Sequence, residues 1–129
     1  MKKLPVLDSK NCPVTHAVRL MGRRWKPLVL YYLKPGPLRF SELRRCLPEA
    51  TQKMLTQTLR ELEKDGLVLR TVYPQVPPKV VYSVTSYGLT LKPILKALCE
   101  WGKKDFKRRK SLKLPEEAAI VDVNRGDQY

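Results

Sequence analysis

Acidic residues, histidine and long apolar runs are all scarce in this 129-residue chain. There are 12 Asp and Glu against 26 Lys and Arg, one histidine and three cysteines. The lone His16 has no carboxylate or cysteine at ligand spacing, which leaves little from which to build a metal site or an acid–base centre. Neither a phosphate-cradling glycine loop nor a G-x-S-x-G elbow occurs. Enzymatic chemistry, a metal and a bound cofactor are therefore not expected. Cys12, Cys46 and Cys99 are odd in number and widely spaced, which excludes a disulfide framework and a thiolate zinc site. The longest apolar run, residues 28–33, is six residues, against about 20 needed to span a bilayer. Met1-Lys2-Lys3 begins like a secretory signal, but Pro5 and Asp8 interrupt the stretch that would have to be apolar. A cytoplasmic protein with no membrane partner is expected.

What the chain has in excess is positive charge, a formal +14 at pH 7. So large an excess favours a polyanionic partner. Its distribution suggests three segments: an N-terminal arm at 1–11, one domain at 12–102, and a C-terminal extension at 103–129. The domain carries 15 basic and six acidic residues, a net of +9. Residues 103–113 carry seven basic residues and one acid, a net of +6, and beyond Ser111 the sign changes at Glu116, Glu117, Asp122 and Asp127. The run at 103–113 has two readings, solvated charge or nonspecific attraction to a polyanion.

Periodicity supplies the elements. Val14, Ala17, Val18 and Met21 share one helical face, and Gly22 follows as a stop. Residues 27–34 are apolar nearly all round, which predicts a buried central helix ended by Pro35-Gly36-Pro37. After a strand stub at 38–40, Ser41 is expected to cap a short helix at 42–47, broken by Pro48. Thr51 caps a longer helix at 52–65 that stops at Gly66, with Leu55, Leu59 and Leu62 turned inward. Residues 67–73 and 80–84 suit strands, joined by the stiff segment 74–79. Thr85 or Ser86 is expected to cap a last helix with Leu91, Leu95, Leu98 and Trp101 on one stripe; Pro93 requires a kink or a late start there. This order is α+β, mostly α: a winged helix-turn-helix with a terminal helix at each end and a two-stranded β-wing.

In that geometry the second helix of the motif enters the major groove. At about 100° per residue, Gln52, Lys53, Thr56, Gln57 and Arg60 lie away from the inward leucines, and the cap Thr51 joins them as a candidate DNA contact. Gln can pair with adenine, Arg with guanine, and Thr with thymine methyls or phosphates. Residues 51–60 contain no acid, whereas 61–65 contain three. An acid-free first half is what a helix facing phosphates requires. Double-stranded DNA is thus the expected partner. Arg39, Arg44 and Arg45 near the motif's first helix, and Arg70 and Lys79 on the wing, are backbone-contact candidates that would position the domain without specifying sequence. Arg23, Arg24 and Lys26 form a third basic cluster, open to phosphate contact or to plain solvation. A winged helix that binds RNA or a protein is the rival reading.

The segments Cys12-Pro13-Val14, Gly22-x-x-Trp25-Lys26, Leu38-Arg39-Phe40-Ser41-Glu42-Leu43, Gln52-Lys53-Met54-Leu55-Thr56, Leu59-Arg60-Glu61-Leu62-Glu63, Asp65-Gly66-Leu67-Val68, Val76-Pro77-Pro78-Lys79-Val80 and Tyr82-Ser83-Val84-Thr85 together resemble the HxlR family of bacterial winged-helix transcriptional regulators. The match spans about residues 12–102, and its order and spacing are far more specific than any single piece. The resemblance implies a MarR-like winged helix working as a homodimer on a pseudo-palindromic operator, with the terminal helices building the dimer interface. It makes the helix from Thr51 the recognition helix and 74–79 the wing. Gly22-Arg23-Arg24-Trp25 departs from the family's commoner second glycine and single lysine, which adds charge. Some members use the cysteine of the Cys-Pro segment as a thiol sensor. Cys12 holds that position, with Lys10 and a helix N-terminus nearby to favour the thiolate. It is open to two readings, a candidate redox sensor or a packed interface cysteine. An oxidant or small-molecule effector is left open in the same way.

Overall fold

The computed structural model describes residues 11–22 and 24–113, in two units that divide after Thr85. The first unit runs α1 (Pro13–Met21), α2 (Trp25–Leu33), β1 (Leu38–Arg39), α3 (Phe40–Cys46), α4 (Gln52–Lys64), β2 (Val68–Tyr73) and β3 (Lys79–Val84). The second holds a 3-10 turn (Gly88–Leu91) and α5 (Lys92–Ser111). This is the winged helix-turn-helix that the element order implies.

Helix α2 is the hub of the first unit because it has no polar face to give to solvent. Trp25, Val29, Leu30, Tyr31 and Leu33 are all buried, and the helix packs on α3, α4 and β3. From α4 come Leu55, Leu59 and Leu62, and Leu43 and Leu47 add the inner side of α3 and its turn. Burying a leucine contributes about 1.5–3 kcal/mol, so these five leucines fix which side of α4 faces out. The helix starts at Trp25, two residues before the expected start. Pro27 still lies in the first turn, where no intrahelical N–H is required.

The two helices of the motif are held at their ends by different devices. Thr51 Oγ1 accepts from Met54 N–H at 3.1 Å, as expected of an N-cap. At the other end Gly66 adopts φ +77°, and the N–H groups of Gly66 and Leu67 donate to the carbonyls of Glu63 and Leu62. That paired closure needs a left-handed residue, hence glycine. Ser41 is not the cap of α3. The helix begins one residue before it, at Phe40, with Glu42 Oε1 accepting from Arg39 N–H at 2.9 Å. A carboxylate three residues in is a stronger acceptor than a hydroxyl and reaches back to the same free donor.

Gly22 ends α1 by a different route from Gly66. Its backbone is extended, and a Cβ there would sit 2.7 Å from the Val18 carbonyl oxygen. The residue is small because the preceding turn crowds it.

The wing is an antiparallel hairpin in register from Val68↔Val84 to Tyr73↔Lys79, with residues 74–78 as its loop. On its other edge β3 pairs with β1, Leu38↔Tyr82 and Arg39↔Val81, giving the sheet order β1-β3-β2. Thr85 does not cap the last helix. Its hydroxyl donates to the Gly66 carbonyl at 2.6 Å and its N–H to Leu67 at 3.1 Å, closing the base of the hairpin.

In the second unit, Pro93 occupies the second position of α5, so the late start is what occurs and the helix is spared an interior proline. The boundary expected after Gly102 falls inside α5, which runs unbroken to Ser111. Asp105 supports the continuation, accepting from Arg109 Nε at 2.7 Å one turn on. Arg108, Arg109 and Lys110 stand in the last turn, where the helix dipole favours cations. The expected leucine stripe divides: Leu95 is buried, whereas Leu98 and Trp101 are exposed, together with Ile94. The arm at 1–10, Arg23 and residues 114–129 lie outside the described residues.

Candidate nucleic-acid interface

The outward side of α4 follows from the inward one. With Leu55, Leu59 and Leu62 locked against α2, the side chains of Gln52, Lys53, Gln57 and Arg60 are exposed and Thr56 is half-buried. These five line a single open concavity along the helix. No acid stands in the first turn, so the free N–H groups and positive dipole end face outward without a competing carboxylate. Thr51 is exposed, with its hydroxyl engaged at the cap. Met54 is 42% exposed and borders the same side.

The backbone-contact candidates divide in two by environment. Arg44 and Arg45 are exposed on the last turn of α3, and Arg39 is exposed at its N-cap. On the hairpin, Arg70 is exposed opposite Tyr82, three residues short of the loop. Lys79 opens β3 beside the loop, its ammonium 5.4 Å from the centroid of the Tyr73 ring. Such a stack leaves the charge at the hairpin's tip while covering its stem.

Of the third basic cluster, Arg24 and Lys26 lie among the described residues, and both have partners within the first unit. Lys26 is buried, with Nζ 3.1 Å from Glu61 Oε2. Arg24 pairs with Glu49 and lies over the Trp25 ring, 4.6 Å from its centroid. Both cations are thus engaged within the unit. A signal for Lys26 was present in the sequence: it precedes Val29, Leu30 and Leu33 at three, four and seven residues, the spacing of the buried face. Glu61 carries a second contact that sequence reasoning missed, accepting from Gln57 Nε2 at 3.4 Å.

A recess of about 190 Å³ lined by Arg24, Trp25, Met54, Gln57 and Thr58 lies beside this group. It is smaller than the roughly 300 Å³ from which ligand pockets start.

Cys12 is the N-cap residue of α1. The backbone N–H of Thr15 chiefly, then the Thr15 hydroxyl and the N–H of Val14, hold its thiol below its ordinary pKa. Free N–H groups at a helix start stabilise a thiolate. Cys12, Cys46 and Cys99 form no disulfide with one another and are half-buried. His16, on α1, is exposed. Among the described residues no cluster of His, Cys, Asp and Glu could hold a metal ion, and no helix is long and apolar enough to cross a membrane.

The family model described as HxlR-like helix-turn-helix matches residues 20–110. An HTH-type transcriptional regulator of Methanothermobacter thermautotrophicus is 57% identical over 96 residues, which cover 74% of this chain and 73% of that protein. The HTH-type transcriptional regulator YkvN of Bacillus subtilis is 58% identical over 92 residues, 71% of this chain and 78% of YkvN. Among solved structures, the redox regulator HypR in its reduced form superposes with a TM-score of 0.74 at 47% identity, covering 78% of this chain and 99% of that one. The two sequence relatives are HTH-type transcriptional regulators, a non-enzymatic group. The chain belongs to the HxlR-like helix-turn-helix family of transcriptional regulators.

Proposed function

We propose that this regulator binds double-stranded DNA sequence-specifically, as a homodimer on a pseudo-palindromic operator, with α4 as the recognition helix. The observation that carries the reading is the outward face of α4, where Gln52, Lys53, Thr56, Gln57 and Arg60 share one open concavity on a helix whose first ten residues, from Thr51, contain no acid. Gln57 and Arg60 read bases; Lys53, the arginines of α3 and the wing residues Arg70 and Lys79 hold phosphates and set the register. Binding is then strongly salt-dependent through counterion release.

The homodimer reading is supported by two apolar faces exposed on the terminal helices. Val14 and Val18 of α1 are 70% and 57% exposed, and Ile94, Leu98 and Trp101 of α5 recur at the spacing of one helical face. A soluble monomer gains nothing by presenting such rows, whereas a symmetric partner would bury them.

Cys12 is the candidate thiol switch. Its lowered pKa at a helix start and the redox-regulator relative HypR support that role. Residues 103–111 extend α5 and add nonspecific attraction to the duplex.

The test is base preference. Gln57→Ala and Arg60→Ala are each expected to relax the choice of base at one operator position per half-site, losing about 1–3 kcal/mol there. Loss that is uniform across sequences would make them phosphate contacts and overturn their role as readers.

A further inference from the structure

An acid directly after the acid-free half of α4 is a puzzle for a helix that faces phosphates. Glu61 is four residues beyond Gln57, so it projects from the same side one turn on. Its two oxygens have different partners. Oε2 lies 3.1 Å from Nζ of Lys26, whose side chain is 7% exposed, and Oε1 accepts from Gln57 Nε2 at 3.4 Å. Lys26 on α2 is held by the packing of the hub helix. The carboxylate therefore has its charge offset from inside the protein and its position set by a rigid element.

We propose that Glu61 is a positioning residue that fixes the amide of Gln57 and makes that position select adenine against guanine. The inference rests on α4 being the groove-reading helix. A carboxylate accepts and cannot donate, so the amide must turn its nitrogen to Glu61 and its oxygen away. This orientation follows from the chemistry of the partner, independently of how amide oxygen and nitrogen are assigned. One N–H is spent on Glu61, and the proposed arrangement uses the hydrogen anti to the carbonyl. The free edge then presents the oxygen beside the remaining hydrogen, one acceptor and one donor. Adenine offers the complement, the N6 amino group and N7. Guanine offers two acceptors, O6 and N7, which an unrestrained amide could meet with both hydrogens of its NH2 group. With one hydrogen held by Glu61 that alternative is closed.

The experiment is selection of bound duplexes from a random DNA pool by the full chain, comparing the parent with Gln57→Ala, Glu61→Gln and Lys26→Met. In the parent, the position governed by Gln57 prefers adenine over guanine. Gln57→Ala flattens that position. Glu61→Gln, whose own amide can turn either way, keeps overall affinity but lowers the adenine-to-guanine ratio there by about tenfold. Lys26→Met, which removes the cation that holds the carboxylate, lowers it in the same direction. An unchanged ratio in Glu61→Gln beside a flattened one in Gln57→Ala overturns the positioning role and leaves the groove-reading helix standing. No effect of Gln57→Ala anywhere overturns the reading on which the proposal rests. If both ion-pair variants fail to fold, nuclear magnetic resonance of the parent decides. A Gln57 Nε2 proton shifted well downfield of its position in an unstructured glutamine supports the contact, and both protons at their unstructured positions overturn it.

Discussion

Replacing Lys26 tests the packing that aims α4 outward, and its cost can be worked from the surroundings. Lys26→Met keeps most of the aliphatic stem and removes the ammonium that lies against Glu61. Breaking a fully buried pair costs about 3–5 kcal/mol, whereas an exposed pair contributes about 0–1. The Lys26 side chain is 7% exposed and that of Glu61 is 30%, so the abandoned carboxylate can recover part of its hydration. About 1–2 kcal/mol is expected for Lys26→Met. Lys26→Ala also strips three buried methylenes, each contributing about 0.8 kcal/mol, for a total of about 3–4 kcal/mol. The assay is urea unfolding at one fixed protein concentration, because a dimer makes the midpoint depend on concentration. A cycle with Glu61→Gln should give a coupling energy of about 1 kcal/mol. Zero coupling, with Lys26→Ala losing less than about 1 kcal/mol, would refute the buried pair.

Two further outcomes follow from exposed features. Trp101→Glu, at a side chain 69% exposed on α5, is expected to shift sedimentation from dimer to monomer while leaving helical circular dichroism intact; a persistent dimer would remove α5 from the interface. In a Cys46→Ser, Cys99→Ser background, the pH profile of Cys12 alkylation should have its midpoint lower in the native protein than in denaturant, since the folded state favours the thiolate. Thr15→Val should move the midpoint only part of the way back up, because it removes the hydroxyl's contribution and keeps the larger one from the backbone N–H of that residue; identical native and denatured profiles would make Cys12 an ordinary thiol.

The parts of the fold that were legible from sequence are those where one residue type has one physical use. Gly66 at a left-handed helix end, Thr51 at an N-cap and the three inward leucines of α4 are of this kind. What was not legible depends on competition between acceptable options. Ser41 is a good cap, but Glu42 reaches the same Arg39 N–H with a charged acceptor. Pro93 allowed either a kink or a late start, and the 3-10 turn before it decides for the start. The basic run at 103–113 reads as a tail because charge alone carries no period, yet Asp105 and Arg109 at four-residue spacing hold 103–111 in α5. Lys26 illustrates the larger difficulty. A lysine beside two arginines looks like surface, and only the tertiary approach of Glu61 from α4 makes its burial tolerable.

Reading of duplex DNA by the outward face of α4 would show as a difference in affinity between duplexes. It is tested most directly by measuring affinity, at one salt concentration, for three duplexes: DNA from the regulator's own upstream region, the same DNA scrambled, and RNA of the same sequence. The upstream DNA is expected to bind at least about 10³-fold more tightly than the scrambled duplex, with the RNA no better than scrambled. Equal binding to all three would contradict it.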